Sequence, residues 1–488
     1  MISFGIKKLA LKQPNTIALV GELRVYTYSE LTKEVDELAV QLMPYLNKVV
    51  ALYADNSLQW LMIDLACQIA GVILLPLPSF FSDQQIIHAV NEAGAVGIIH
   101  QQCERVNKLF NGTDNVNVLD GFICTDIEAL QSVELPKGTS KITFTSGSTG
   151  QPKGVCLSNE QQLSVARATQ QALELSAGTH LSVIPFSTLL ENTAGAYVTL
   201  LNGGSVVALP PSQLGFNGSS GFELATLLQA IEKHQPASLI LLPELLMAVM
   251  GTVKAGWRIP KSLKIIAVGG SKVSAELIHA SKECGLPVYE GYGLSECCSV
   301  VSLNTLKSNK VGSVGKPLGH VDVRIENDEV VVSGNTYLGY VNDDLTWPDT
   351  DVFTGDYGYF DEDGYLFING RKKNLLISSF GRNISPEWVE STALGNGVLE
   401  QCVIFGDQKP YCAALVWPRS SEINDLDVDA HIANVNQQLP DYAQIKAWSR
   451  LPIKLSYSEG TLTSNGRPVR DSIKAINQKH INQLYSEL

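Results

Sequence analysis

Along the first hundred residues, short apolar runs alternate with longer segments in which apolar positions recur at helical spacing. Residues 25–31 read as a short strand running into a helix that continues to about Leu46, with Ser29 as the candidate cap. Residues 49–53 form an apolar strand and a helix starts near Ser57. Residues 70–77 are the next strand, 84–93 a helix and 96–100 a strand. A helix over 160–172 is followed by a second run of the same kind. Its helices lie at 222–234, 243–253 and 275–284, and its strands at 238–242, 263–268 and 288–289. Such alternation predicts two layered α/β subdomains. From 312 to 368 the pattern changes: VDVRI, EVVVSG and GYLFING are short strands between Asn, Asp and Gly turns. They predict antiparallel β structure or a small β-barrel-like subdomain. Beyond Arg371 a helix at 386–392, strands CVIFG and CAALVW, and helices from Val428 and Val469 predict a separate α+β unit. The domain division is therefore 1–372 and 373–488.

A chain of 488 residues, 45% hydrophobic and 17% charged, is globular and too long for one core. Its formal net charge of -13 argues against nonspecific nucleic-acid binding. The nine cysteines have no zinc-site spacing, and the adjacent Cys297 and Cys298 are poorly placed to share a metal. They read as buried thiols in a reducing, cytoplasmic compartment. The first residues, MISFGIKKLALKQP, lack the apolar core and cleavage pattern of a signal peptide. Residues 58–81 are the most membrane-like, but Asp64, Gln68, Pro76 and Pro78 interrupt them. No transmembrane segment is expected, and peripheral membrane contact stays open.

The chemistry concentrates in residues 142–155, ITFTSGSTGQPKGV. Thr145, Ser146, Gly147, Ser148, Thr149 and Gly150 carry little bulk, so backbone N–H groups can turn inward around an anion. The hydroxyls add donors and Lys153 adds a mobile cation. A plain Ser/Gly surface loop is the competing reading. In YEGYGLSE, residues 289–296, the Tyr292 ring could stack on a flat heterocycle, the glycines permit close approach, and Glu296 could hold a divalent cation. Asp356 and Arg371 form a plausible pair, the carboxylate accepting from sugar hydroxyls and the guanidinium reaching the sugar or a phosphate.

These segments, with TGD at 354–356, GRKKNLLISSFGRNISPEWVE at 370–390 and TLTSNGRPVR at 461–470, make five motifs in order. Together they resemble the adenylate-forming superfamily of acyl- and aryl-CoA synthetases, luciferases and peptide-synthetase adenylation domains. The resemblance covers essentially the whole chain. It implies ATP and Mg²⁺ as cofactors, a carboxylic acid substrate, and coenzyme A as the thiol acceptor of an AMP-forming acid–thiol ligase. It further implies that Thr145 to Gly150 and Lys153 surround the phosphates, and that Gly270, Ser271, Glu290, Gly291, Tyr292 and Gly293 line the adenine. Ser295, where threonine is commoner, would meet the α-phosphate, Glu296 the magnesium, and Asp356 and Arg371 the ribose. The resemblance also implies that Lys373 stands at the hinge of a mobile C-terminal domain with two closed arrangements, one for adenylation and one for thiol attack. Ser379, Phe380 and Gly381 resemble a pantetheine-tunnel strip in which Gly-Gly is commoner.

Arg467, after Gly466, occupies the position of the family's usual lysine. Arginine keeps the charge but is planar and broad. It could substitute, Arg470 or another cation could assist, or adenylation could be impaired. The catalytic candidates are thus Lys153, Ser295, Glu296 and Arg467. In residues 184–195, Thr188 and Asn192 stand where long-chain synthetases carry His and Arg, and Glu191 is retained. FGRNISPEWVE resembles bacterial long-chain acyl-CoA synthetases, which points to a fatty or other aliphatic acid. An acyl carrier protein as thiol acceptor and a catalytically impaired acyl- or nucleotide-binding regulator are the alternatives.

Overall fold

The computed structural model describes residues 1–101, 103–110, 115–119, 121–128, 133–145, 152–217, 221–270, 272–347, 351–379, 382–395, 397–463 and 466–485. Two large sheets dominate. In one, Val49–Tyr53, Ile73–Leu77 and Gly97–His100 run parallel. Val49–Tyr53 is buried at every position because both of its faces are covered, so it reads as an unbroken apolar run. On one side this sheet continues through Lys141–Thr145 and Lys153–Leu157 to Gly339–Tyr340. The second sheet has Thr179–Leu181, Ser205–Val207, Ser238–Leu241, Ile265–Val268 and Val288–Leu294 in parallel, after which Ser299–Leu303 turns back antiparallel.

Several boundaries differ from the sequence reading for local reasons. Thr27, not Ser29, caps the helix Tyr28–Leu42: its side chain accepts from Glu30 N–H while Glu30 reaches back to Thr27 N–H. The helix Leu58–Ala70 ends on Gly71 at φ +68, so the following strand begins only at Ile73. The segment 190–197, left unassigned by periodicity, is a π-helix, Leu190–Tyr197, a form enriched at functional sites. The short strand expected at 288–289 extends to Leu294. The region 312–368 resolves into a four-stranded antiparallel sheet that includes Val352–Phe360 and Leu366–Arg371.

A buried polar network joins the layers. Lys141 Nζ has three protons and three partners: Asp64 Oδ1 at 2.8 Å, Asn192 Oδ1 at 2.6 Å and Tyr197 Oη at 3.0 Å. Tyr197 donates to Asp64 Oδ2, which also accepts from Asn192 Nδ2, and Gln68 donates to Tyr197. Asp64 and Lys141 belong to one layer, Asn192 and Tyr197 to the π-helix of the other. Asn192, aligned in type with an acyl-site arginine, therefore serves this network.

From Leu376 onward the chain builds its own core. Leu399–Phe405, Cys412–Pro418 and Ile445–Arg450 form a sheet covered by Pro386–Leu394, Asp425–Gln438 and Arg470–Gln483. Among the described residues no helix is long and apolar enough to cross a membrane.

Candidate active site

Lys141–Thr145 and Lys153–Leu157 are antiparallel neighbours, and Thr145 pairs with Lys153. The Ser/Gly stretch lies between these two strands in the sequence. Ser146, Gly147, Ser148, Thr149 and Gly150 themselves lie outside the described residues, as do Ser271, Phe380 and Gly381. Two contacts fix where the second of these strands begins. His88 Nε2 is 2.9 Å from the Pro152 carbonyl. Gly154 leaves room for the neighbouring strand: a Cβ there would meet Val341 Cγ2 at 2.8 Å.

That neighbour supplies a residue that motif reading missed. Tyr340 pairs with Val155, which puts its ring diagonally across from Lys153. Lys153 Nζ sits 4.8 Å from the ring centroid, and the Tyr340 hydroxyl donates to Glu296 Oε1 at 2.8 Å. Lys153 and Glu296 therefore face one cleft, with Tyr340 between them. Ser295 and Glu296 begin the turn Ser295–Cys297, after which Cys298 and Ser299 take φ of +58 and +112. Such backbone is costly without glycine and is a feature of constrained sites.

Asp356 and Arg371 stand directly opposite on antiparallel strands, with Arg371 Nε 2.9 Å from Asp356 Oδ1. Tyr292 donates its hydroxyl to Asp356 Oδ2 at 2.7 Å, which fixes the ring's tilt. Burial raises the Asp356 pKa, and the Arg371 cation counters it. Glu290 is buried on the same strand as Tyr292, with Gly291 and Gly293 on the cleft wall.

Burial pushes the Glu290 carboxyl up to about 8 from 4.5, against the pull of the Lys272 ammonium and of a hydrogen bond from Val273 N–H. Between those two values the unfolded chain ionises this group while the folded chain keeps it protonated, so stability falls as pH rises. Glu290→Gln is expected to raise the melting temperature at pH 8 and to change it little near pH 4.5. At about 1.4 kcal/mol per pKa unit the gain reaches a few kcal/mol. Thermal unfolding across that range checks it; a pH-independent difference would refute it.

The C-terminal domain contributes Arg467 from a tight turn. Thr463 N–H donates to Arg467 O, Arg467 N–H to Thr463 Oγ1, and Gly466 takes φ +72. Arg467 Nη2 donates to the Gly270 carbonyl at the end of the strand Ile265–Val268. Burial and the neighbouring Arg371 cation lower its pKa, with Asp356, Glu387 and Tyr292 opposing. Two guanidiniums converge where an added anion would relieve their repulsion. Arg470, considered as a helper, is committed elsewhere. It donates to Glu390 Oε2 at 2.6 Å and to the Ile404 carbonyl, within the C-terminal domain.

Lys153, Glu296, Tyr292, Arg371, Gly270 and Arg467 all line one cleft of about 2240 Å³. Among the described residues no group of three or more His, Cys, Asp or Glu could hold a metal ion by itself. A single carboxylate such as Glu296 suits a Mg²⁺ that arrives with phosphate oxygens. All nine cysteines are unpaired.

Residues 6–341 match the family described as AMP-binding enzyme, and residues 373–488 match the AMP-binding enzyme C-terminal domain. The chain is 26% identical to a 2-succinylbenzoate--CoA ligase of Staphylococcus epidermidis, over 97% of this chain and 98% of that one. It is 29% identical to the Long-chain-fatty-acid--CoA ligase FadD15 of Mycobacterium tuberculosis over 45% of this chain and 41% of the relative. Its fold is similar to that of the anthranilate CoA ligase AuaEII in complex with anthranoyl-AMP, with TM-score 0.84, 17% identity, and coverage of 99% and 98%. It is also similar to the O-succinylbenzoate coenzyme A synthetase of Bacillus subtilis in complex with ATP and magnesium ion. There the TM-score is 0.78 at 21% identity, with 96% and 99% covered.

Proposed function

Since the chain belongs to the AMP-binding enzyme family, we propose that it joins a monocarboxylic acid with a mainly aliphatic tail to the thiol of coenzyme A. It is an AMP-forming acid–thiol ligase. The observation that carries the choice of acid is the apolar part of the cleft lining. Leu189, Leu190, Ala194, Ile240, Val300 and Leu303 are among the residues that line the cleft. A second carboxylate, as in succinylbenzoate, would be costly to bury against such side chains.

In the proposed reaction a carboxylate oxygen attacks the α-phosphorus of ATP. The bond to the bridging oxygen breaks and pyrophosphate leaves. A thiolate sulfur then attacks the acyl carbon, and the acyl–oxygen bond breaks to release AMP. Lys153, Arg467 and the backbone N–H groups of the Ser/Gly loop would stabilise charge at phosphorus. Asp356 and Arg371 would hold the ribose beside Tyr292, and Ser295 would donate to the α-phosphate. Glu296 would hold Mg²⁺, whose chemistry is to neutralise phosphate charge. Rotation about Lys373 would withdraw Arg467 and bring Ser379 and its neighbours to the site for the thiol step. The proposed setting is the cytoplasm, where unpaired cysteines stay reduced. Nothing in the cleft favours a carrier protein over coenzyme A.

Acid-dependent pyrophosphate release, measured across straight-chain acids of increasing length and with 2-succinylbenzoate, tests this reading. Turnover is expected to rise with chain length and to be lowest for the dicarboxylate. Preference for 2-succinylbenzoate would overturn it.

A further inference from the structure

The turn that presents Arg467 is tied to a second turn of the C-terminal domain, and that one also reaches the large domain. Ser456 N–H donates to Thr461 Oγ1 at 2.9 Å, Thr461 N–H returns to the Ser456 carbonyl, and Val469 N–H donates to the Thr461 carbonyl. These bonds join the turn around Tyr457 to the one around Arg467. Tyr457 donates its hydroxyl to Gln85 Oε1, while Arg467 donates to the Gly270 carbonyl. Gln85 lies on the helix Asp83–Glu92, whose Ile86, Ala89 and Val90 pack into the core of the first sheet. Gly270 follows a strand of the second sheet. One segment of the C-terminal domain is thus fastened to both layers.

The acceptor on the helix is held ready. Gln85 Oε1 accepts from Ser82 N–H at 3.0 Å, and Gln85 N–H donates to Ser82 Oγ at 3.3 Å, which closes a capping box. A backbone N–H only donates, so the amide oxygen faces it, and the Tyr457 hydroxyl is the donor to that same oxygen. One turn further along, on the same face of the helix, His88 Nε2 is 2.9 Å from the Pro152 carbonyl. A carbonyl only accepts, so Nε2 donates whatever the state of the other ring nitrogen. Pro152 is the neighbour of Lys153. The one helix therefore locates Lys153 through His88 and Arg467 through Gln85. Gln85, His88, Lys153, Tyr457 and Arg467 all line the cleft.

We propose that Tyr457 and Gln85 are positioning residues for acyl-adenylate formation: their hydrogen bond registers the Arg467 turn to the helix that holds Pro152, so that both cations are placed from one element. This rests on the ligase reading and the domain rotation proposed above. Arg467 alone would leave its turn attached to the large domain at a single carbonyl, free to pivot about it. Small displacements of a charge-stabilising group are costly in rate, and the Tyr457 contact removes that freedom. Tyr457 and Arg467 move as one unit, so a turn about Lys373 that withdraws Arg467 also parts Tyr457 from Gln85. The contact then serves the first half-reaction and not the second.

The test separates the two half-reactions in the full chain. Pyrophosphate release is followed with ATP and the straight-chain acid that wild type uses fastest; thioester formation is followed with coenzyme A and the ready-made acyl-adenylate of that acid. Tyr457→Phe removes one oxygen. It is expected to slow pyrophosphate release about fivefold, the value of one neutral hydrogen bond, and to leave thioester formation unslowed. Gln85→Met should also slow the first step, and adding Tyr457→Phe to it should cost nothing more. Gln85→Glu, which keeps an acceptor, should recover most of what Gln85→Met loses. Unchanged pyrophosphate release in Tyr457→Phe, equal slowing of both steps, or fully additive losses in the double variant would overturn the inference alone. No pyrophosphate from wild type with any acid would instead sink the ligase reading and this inference together.

Discussion

Arg467→Ala is expected to slow acid-dependent pyrophosphate release by roughly 10²–10³-fold, the usual cost of removing one preorganised contact to developing charge. The turn that presents Arg467 is specified by Gly466 at φ +72 and by two hydrogen bonds between Thr463 and Arg467. One guanidinium nitrogen is already anchored on the Gly270 carbonyl. The remaining N–H groups lie beside Arg371 and Asp356, the pair proposed to hold the ribose. Arg467→Lys distinguishes a compromised centre from one built around arginine. An ammonium cannot hold Gly270 and still present a planar fork, so the lysine variant is expected to be about tenfold slower than wild type. A faster lysine variant would show that arginine impairs the step. Thermal unfolding should be nearly unchanged in both, which separates this role from a structural one.

Lys141→Met is expected to destabilise the protein by about 3–5 kcal/mol, because it leaves the Asp64 carboxylate buried without its cation. Both side chains are nearly inaccessible, at 2% and 1% exposure. Asn192 and Tyr197 contribute hydrogen bonds to Asp64 but no charge. Removing both charges, as Lys141→Met with Asp64→Asn, should recover much of the loss, since the penalty comes from the orphaned ion. Urea unfolding of the single and double variants measures this. A single-variant cost below about 1 kcal/mol would mean that water reaches Asp64.

What the sequence disclosed was local. The unbroken run VVALY announces a strand covered on both faces, and TSGSTG announces a loop of low bulk. Asp356 and Arg371, fifteen positions apart, were readable as partners because a short hairpin separates them. Tyr340 was not, because nothing in its own neighbourhood marks it. It matters only because Gly339–Tyr340 pairs beside Lys153–Leu157, a long-range register that no motif encodes. His88 and the Lys141 network were hidden for the same reason. Ser29 was a reasonable cap by residue type, but Thr27 has Glu30 three residues on and so closes the reciprocal pair of bonds. The buried contacts of His180 with Ser238 and Glu191 escaped notice because THL and SLIL look like ordinary core strands until the sheet sets His180 against Ser238.

Gly370 lies just before Lys373, and a Cβ there would fall 2.0 Å from Ser385 Oγ, the group that caps the helix Pro386–Leu394. The packing of Gly370 against the start of this helix therefore requires a residue without a side chain at that position. If the C-terminal domain turns about Lys373 as proposed above, a methyl group there would disfavour the present arrangement without altering any residue proposed to meet the nucleotide.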